Sequence, residues 1–88
     1  MNKKSYKEAL NYFNFSNKMI PNDSQTIFDM GFCLLNLKQY NDSLKYLDMS
    51  FRLDGTKKER YYKCKGSIFA KLNIIYFIFF KNIKKIYR

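Results

Sequence analysis

Chemistry in this 88-residue chain would have to come from two cysteines, seven carboxylates and seventeen cations, because histidine is absent. Histidine is the usual general base near neutral pH and the commonest metal ligand, so most hydrolytic and metal-assisted designs lack their central group. Cys33 and Cys64 stand outside any C-x-x-C spacing, among Phe, Leu and Tyr. That is the setting of small buried thiols in a reducing compartment. Glu8, Glu59 and the five aspartates fall at turns or on helix faces, and there is no glycine-rich phosphate loop. The sequence therefore yields no catalytic residue, no metal ligand set and no cofactor site, and an enzyme is not expected.

Binding is the chemistry that remains, and charge bounds it. The formal charge of +10 is unevenly placed. Met1–Thr56 holds seven cations against six anions, whereas Lys57–Arg88 holds ten cations against Glu59 alone. Five residue types with A/T-rich codons (Asn, Lys, Ile, Phe and Tyr) supply 48 of the 88 residues, so part of the lysine excess is compositional. The cations of residues 57–71 form no single stripe with exposed aromatics, and nucleic acid is not an expected partner. The length suits one small domain. The N-terminus leads into a polar–apolar pattern with no apolar signal segment. No uninterrupted apolar run reaches the ~18–20 residues of a membrane span. A cytoplasmic location is expected.

The elements that must position any binding residues are helices. Tyr6, Ala9, Leu10, Phe13 and Ser16–Asn17 recur at three- and four-residue steps, predicting a helix over Ser5–Met19 that Pro21-Asn22-Asp23 breaks. Ser24 is the expected cap of a second helix, Gln25–Lys38, with Ile27, Met30, Leu34 and Leu37 inward and Gly31 inside it. An interior glycine costs ~1 kcal/mol relative to alanine, so Gly31 implies a close neighbour. A third helix is predicted over Asp42–Leu53, with Leu44, Leu47, Met49–Ser50 and Leu53 inward and Gly55 as a left-handed stop. A fourth, Lys58–Leu72, carries Tyr61, Tyr62, Ile68, Phe69 and Leu72 around Gly66. The fold class is all-α.

Shifted against itself by 34 residues, the chain pairs Asn2 with Asn36, Lys4 with Lys38, Tyr6 with Tyr40, Leu10 with Leu44, Tyr12 with Tyr46 and Ser16 with Ser50. A shift of 35 pairs Gly31 with Gly66, Leu34 with Phe69 and Leu37 with Leu72. Two helices per repeat of this length mark a stacked helical array. Ile27-x-x-Met30-Gly31-x-x-Leu34, then Ser43-x-x-x-Leu47-x-x-Ser50 followed by Gly55, resembles the tetratricopeptide repeat family. Ala9-x-x-x-Phe13-x-x-Ser16 followed by Pro21 is similar to its second-helix pattern, and Tyr62-x-x-Lys65-Gly66-x-x-Phe69 opens a further unit.

The resemblance implies antiparallel helix-turn-helix units stacked as a short right-handed solenoid. Residues 1–73 divide into a partial unit over 1–23, a full unit over 24–57 and the first helix of another over 58–73. Residues 74–88 form a separate hydrophobic and basic tail. The resemblance also implies a non-enzymatic scaffold or adaptor whose first helices line a groove for a peptide or partner helix. By helix face and by the 35-residue shift, the groove residues are Gln25, Phe28, Asp29, Phe32 and Asn36 with Arg60, Lys63, Cys64, Ser67 and Lys71; Phe28 and Phe32 equally suit packing against an upstream helix or a neighbouring unit. Aromatic and basic in character, such a groove suits an acidic-hydrophobic peptide. The repeat ends invite self-association. In the tail, Lys81, Lys84, Lys85 and Arg88 share one helical face and Phe79, Ile83 and Ile86 another. Three readings fit the tail: a terminal covering helix, a basic amphipathic anchor on a membrane surface, or a translated A/T-rich stretch after Asn73 with no selected role.

Overall fold

The computed structural model describes residues 2–86 as four α-helices, α1 (Lys3–Met19), α2 (Ser24–Asn36), α3 (Tyr40–Leu53) and α4 (Lys58–Ile86), with no strand among the described residues. The all-α expectation holds. The ends of α1 at Met19 and α3 at Leu53 and the start of α4 at Lys58 fall where the sequence reading puts them; the other boundaries differ, each for a local cause. The Asn2 side chain accepts from the Ser5 amide at 2.9 Å and starts α1 at Lys3, ahead of Ser5. Asp23, not Ser24, caps α2, accepting from the Gln25 amide and the Thr26 hydroxyl, both at 3.1 Å.

At the far end of α2 the chain reverses through a left-handed residue. Lys38 has φ 63°; its amide bonds Leu35 O and the Gln39 amide bonds Leu34 O. This is the Schellman closure, made here with lysine where glycine is usual. It ends α2 at Asn36, short of Lys38, and lets α3 begin at Tyr40, ahead of Asp42. No glycine has positive φ, so the expected left-handed stop at Gly55 is absent. The carboxylate of Asp54 closes that turn instead, accepting from the Thr56 amide at 3.0 Å and the Thr56 hydroxyl at 2.7 Å.

The helices pack in chain order. α2 lies against both α1 and α3, while α4 leans on α3 and more lightly on α2; the backbones of α1 and α3 do not approach closely. Being flanked on two sides, α2 holds most of the buried positions: Ile27, Phe28, Met30, Gly31, Cys33, Leu34 and Leu35. The central cluster joins Phe28 and Leu35 to Leu47 of α3 and to Tyr61 and Ile68 of α4. Three residues expected inward, Leu53, Tyr62 and Phe69, are exposed.

The tightest contact is between α2 and α3. A Cβ at Gly31 would lie 3.0 Å from Leu47 Cγ and Cδ2 and 3.2 Å from its backbone nitrogen. Beside it the Ser43 hydroxyl donates to Gly31 O at 2.7 Å, and one end of the pair is tied by the Ser50 hydroxyl on Ser24 O, also 2.7 Å. Ser43 and Ser50 are buried, so each hydroxyl has its proton matched where water is excluded.

The largest departure concerns α4, which was expected to end at Leu72. It continues without a break through Asn73 to Ile86. After Asn73 no proline or glycine follows, so the helix has nothing to stop it. The unbroken apolar run is Ile74–Phe80, between Asn73 and Lys81, and stays short of a span. By length and composition alone, with its interrupting charges counted in, the helix over Lys58–Lys85 is long and apolar enough to cross a bilayer.

Gly31→Ala is expected to destabilise the fold, because overpacking costs ~1–3 kcal/mol and the helix-propensity gain is only ~1 kcal/mol. Gly66→Ala, whose Cβ meets nothing within 4 Å, should stabilise it by about 1 kcal/mol. Urea denaturation followed by circular dichroism measures both signs. Lys38→Gly should also stabilise, by ~0.5–1 kcal/mol, since it relieves a left-handed side chain.

Candidate functional site: the face shared by α2 and α4

α4 touches α2 only lightly, and the residues predicted for a groove are divided between these two helices. At its first turn the face is closed by contacts within the chain. The Arg60 guanidinium sits 4.4 Å from the centroid of the Phe28 ring, a cation–π contact that bridges the two helices. Phe28 is itself buried in the core cluster. Lys57 Nζ donates to Gln25 Oε1 at 2.7 Å, and the Gln25 amide donates to Asp29 at 3.0 Å. The Arg60–Phe28 and Lys57–Gln25 contacts thus tie α2 to the start of α4, with Asp29 steadying Gln25 from within α2. The enclosed space beneath them, lined by Phe28, Leu47, Phe51 and Tyr61, is about 10 Å³, room for one water at most.

Further along, the face opens. Phe32 is 42% exposed, with Tyr6 of α1 edge-on at 6.4 Å. The Asn36 amide donates to Phe32 O at 2.8 Å, leaving its side-chain oxygen outward. On α4, Lys63, Ser67 and Lys71 are exposed, and Lys71 Nζ stands 6.0 Å from the Tyr40 ring. The exposed members of the predicted set are therefore Phe32 and Asn36, on the side of α2 that Tyr6 of α1 borders, and Lys63, Ser67 and Lys71 on α4.

The two thiols are both free. Burial raises Cys33 above its ordinary pKa, helped by the nearby Asp29 charge. Burial also raises Cys64, against the opposing pull of Arg60 and Lys63. Neither is a ready thiolate.

One polar cluster was not legible in the sequence. The Tyr61 hydroxyl donates to the Asp48 carboxylate, Lys65 Nζ donates to the Tyr61 oxygen at 3.1 Å, and Lys65 lies 3.9 Å from Asp48. Phe51 stacks on Tyr61 at 4.3 Å, completing the joint between α3 and α4. Tyr61 and Lys65 stand four residues apart on one helix, which is a sequence signal, but their meeting with Asp48 needs the helix crossing. The Asp48 bond holds the Tyr61 phenol above its ordinary pKa, with burial adding to it, and the bond to Tyr61 raises Lys65.

No family model, curated protein sequence or solved structure matches this chain. What the face can do is argued from its own residues.

Because the folded state favours neutral Tyr61, that stabilisation is complete below the ordinary tyrosine pKa of 10.0 and is lost as pH rises through the higher folded value. Tyr61→Phe should cost about 1 kcal/mol at pH 8. The gap to wild type should shrink in melts recorded above pH 10, since phenylalanine has no proton to lose.

Proposed function

We propose that the chain is a non-enzymatic protein-interaction module of the tetratricopeptide type, its units stacked as a short right-handed solenoid, acting as a cytoplasmic scaffold or adaptor. The reading is supported by the 34-residue repeat, by the helix pair closed at Gly31 against Leu47, and by Ser43 and Ser50 at matched places in it. The observation that carries the function is the exposure of Phe32 and Asn36 on α2 and of Lys63, Ser67 and Lys71 on α4, which this reading takes as the two sides of one open strip. An extended peptide or short helix with acidic and apolar side chains fits it: Phe32 takes the apolar group and the two lysines the carboxylates. Gln25, Phe28, Asp29 and Arg60 set the spacing of the two helices.

A second reading rests on a separate observation. Ile74 to Phe80 are all exposed, around the whole helix, and Lys81, Lys84 and Lys85 follow. Basic residues beside an unpartnered apolar segment suit a surface of anionic lipid. The uncharged stretch Leu72–Phe80 measures about 14 Å, under half of a ~30 Å bilayer core, so this segment would lie in one leaflet.

Fluorescence anisotropy with a labelled peptide of alternating Glu and Leu tests the first reading. Wild type should bind, and Phe32→Glu with Lys63→Glu should weaken binding by about tenfold or more at unchanged helicity. Lys84→Glu, a charge reversal outside the strip, should retain it; equal loss in both variants would mean undirected charge attraction. Sedimentation with phosphatidylserine vesicles tests the second, where Ile75→Glu with Phe79→Glu should abolish pelleting and salt should weaken it.

A further inference from the structure

The internal repeat makes one comparison available inside the molecule. By the 35-residue shift, α4 repeats α2: Tyr62 stands for Ile27, Gly66 for Gly31 and Phe69 for Leu34. By the 34-residue shift, α1 repeats α3: Ala9 stands for Ser43, Phe13 for Leu47 and Ser16 for Ser50. α2 and α3 pack on each other, whereas α4 and α1 lie at opposite ends of the packing order and do not meet.

The two copies of the surface consequently differ in cover. Ile27 and Leu34 are 1% and 5% exposed, but Tyr62 and Phe69 are 59% and 46% exposed. A Cβ on Gly31 would lie 3.0 Å from Leu47, while a Cβ on Gly66 would meet nothing within 4 Å. On the other side Ser43, Leu47 and Ser50 are buried, whereas Ala9, Phe13 and Ser16 are only half-buried and the neighbouring Tyr12 is exposed.

We propose that the chain self-associates head to tail, with α1 of one copy docking on the Tyr62–Gly66–Phe69 face of α4 of another, as α3 docks on α2. A second copy is the fitting occupant because α1 carries the required side chains at the required spacing. Phe13 enters the notch at Gly66, Ala9 is small where the helices cross, and the Ser16 hydroxyl reaches the backbone oxygen of Glu59, the counterpart of Ser24. Ala9 has no hydroxyl, so the Ser43 bond to Gly31 O is not repeated and the joint is weaker than its template by that bond. A heterologous contact of this kind leaves a free α1 and a free α4 on every product, and growth is open-ended unless a ring closes. With +10 on each copy, association strengthens as salt screens the repulsion, the opposite of the salt effect on lipid binding. The inference is independent of what fills the α2–α4 strip.

Sedimentation velocity of the full chain over a concentration series tests it. Wild type should grow progressively beyond the dimer, more so at high salt. Gly66→Leu, whose side chain projects into open space in the single copy, should weaken association by about tenfold or more with melting temperature unchanged or raised. Tyr12→Glu should do the same from the α1 side. Mixing the two variants should give a 1:1 heterodimer that grows no further, because one intact α1 meets one intact α4. A wild type that stays monomeric across the series overturns the proposal. So does association that survives Gly66→Leu but is lost in Ile75→Glu with Phe79→Glu, since the contact would then be the α4 extension.

Discussion

The structure depends on how closely α2 and α3 approach. Two helices can cross with backbones nearly touching only where one offers no side chain, and Gly31 is that place. Leu47 fills the space a Cβ would occupy, and the Ser43 hydroxyl uses the same proximity to reach the Gly31 carbonyl. The glycine's helix-propensity penalty of ~1 kcal/mol is offset by burying Leu47 completely, a gain of ~1.5–3 kcal/mol. With α2 fixed to α3, the remaining helices have a defined surface to lean on. α1 takes one flank of α2, and α4 seats Tyr61 and Ile68 on the cluster that Leu47 anchors.

Much of this was legible from residue spacing, for reasons that are local. The four helices, the inward stripe of Ile27, Met30, Leu34 and Leu37, and a close neighbour at Gly31 all follow from periodicity and from glycine's missing Cβ, although the neighbour that fills the space is the bulky Leu47. The failures are also local. Lys38 takes a left-handed conformation that lysine does not advertise, and Gly55 does not take one although glycine invites it. Asp54 wins at that turn because a carboxylate accepting two hydrogen bonds from Thr56 closes it without positive φ. Asn73 looked like a stop because the repeat ends there, yet helix termination needs a breaker or a cap and none follows.

The predicted binding residues divide by depth in a way that spacing alone could not give. A helical face assigns Phe28 and Phe32 the same role, being four residues apart. Packing separates them: Phe28 lies under Arg60 within the core, and Phe32 remains half open beside Tyr6. The first turn of the α2–α4 face is thus structural and the later turns are free, which confines the proposed recognition to Phe32, Asn36, Lys63, Ser67 and Lys71. The joint of Tyr61, Asp48 and Lys65 escaped notice because its three members come from two helices whose crossing sets their meeting.

α4 is gripped along its first half and bare along its second. Mechanically it is a cantilever. A transverse load on the outer half bends a rod stiffened only by its own backbone ladder, and the moment is greatest where support ends, near Leu72. Inboard of that point the reaction falls on the seat of Tyr61 and Ile68 in the core cluster.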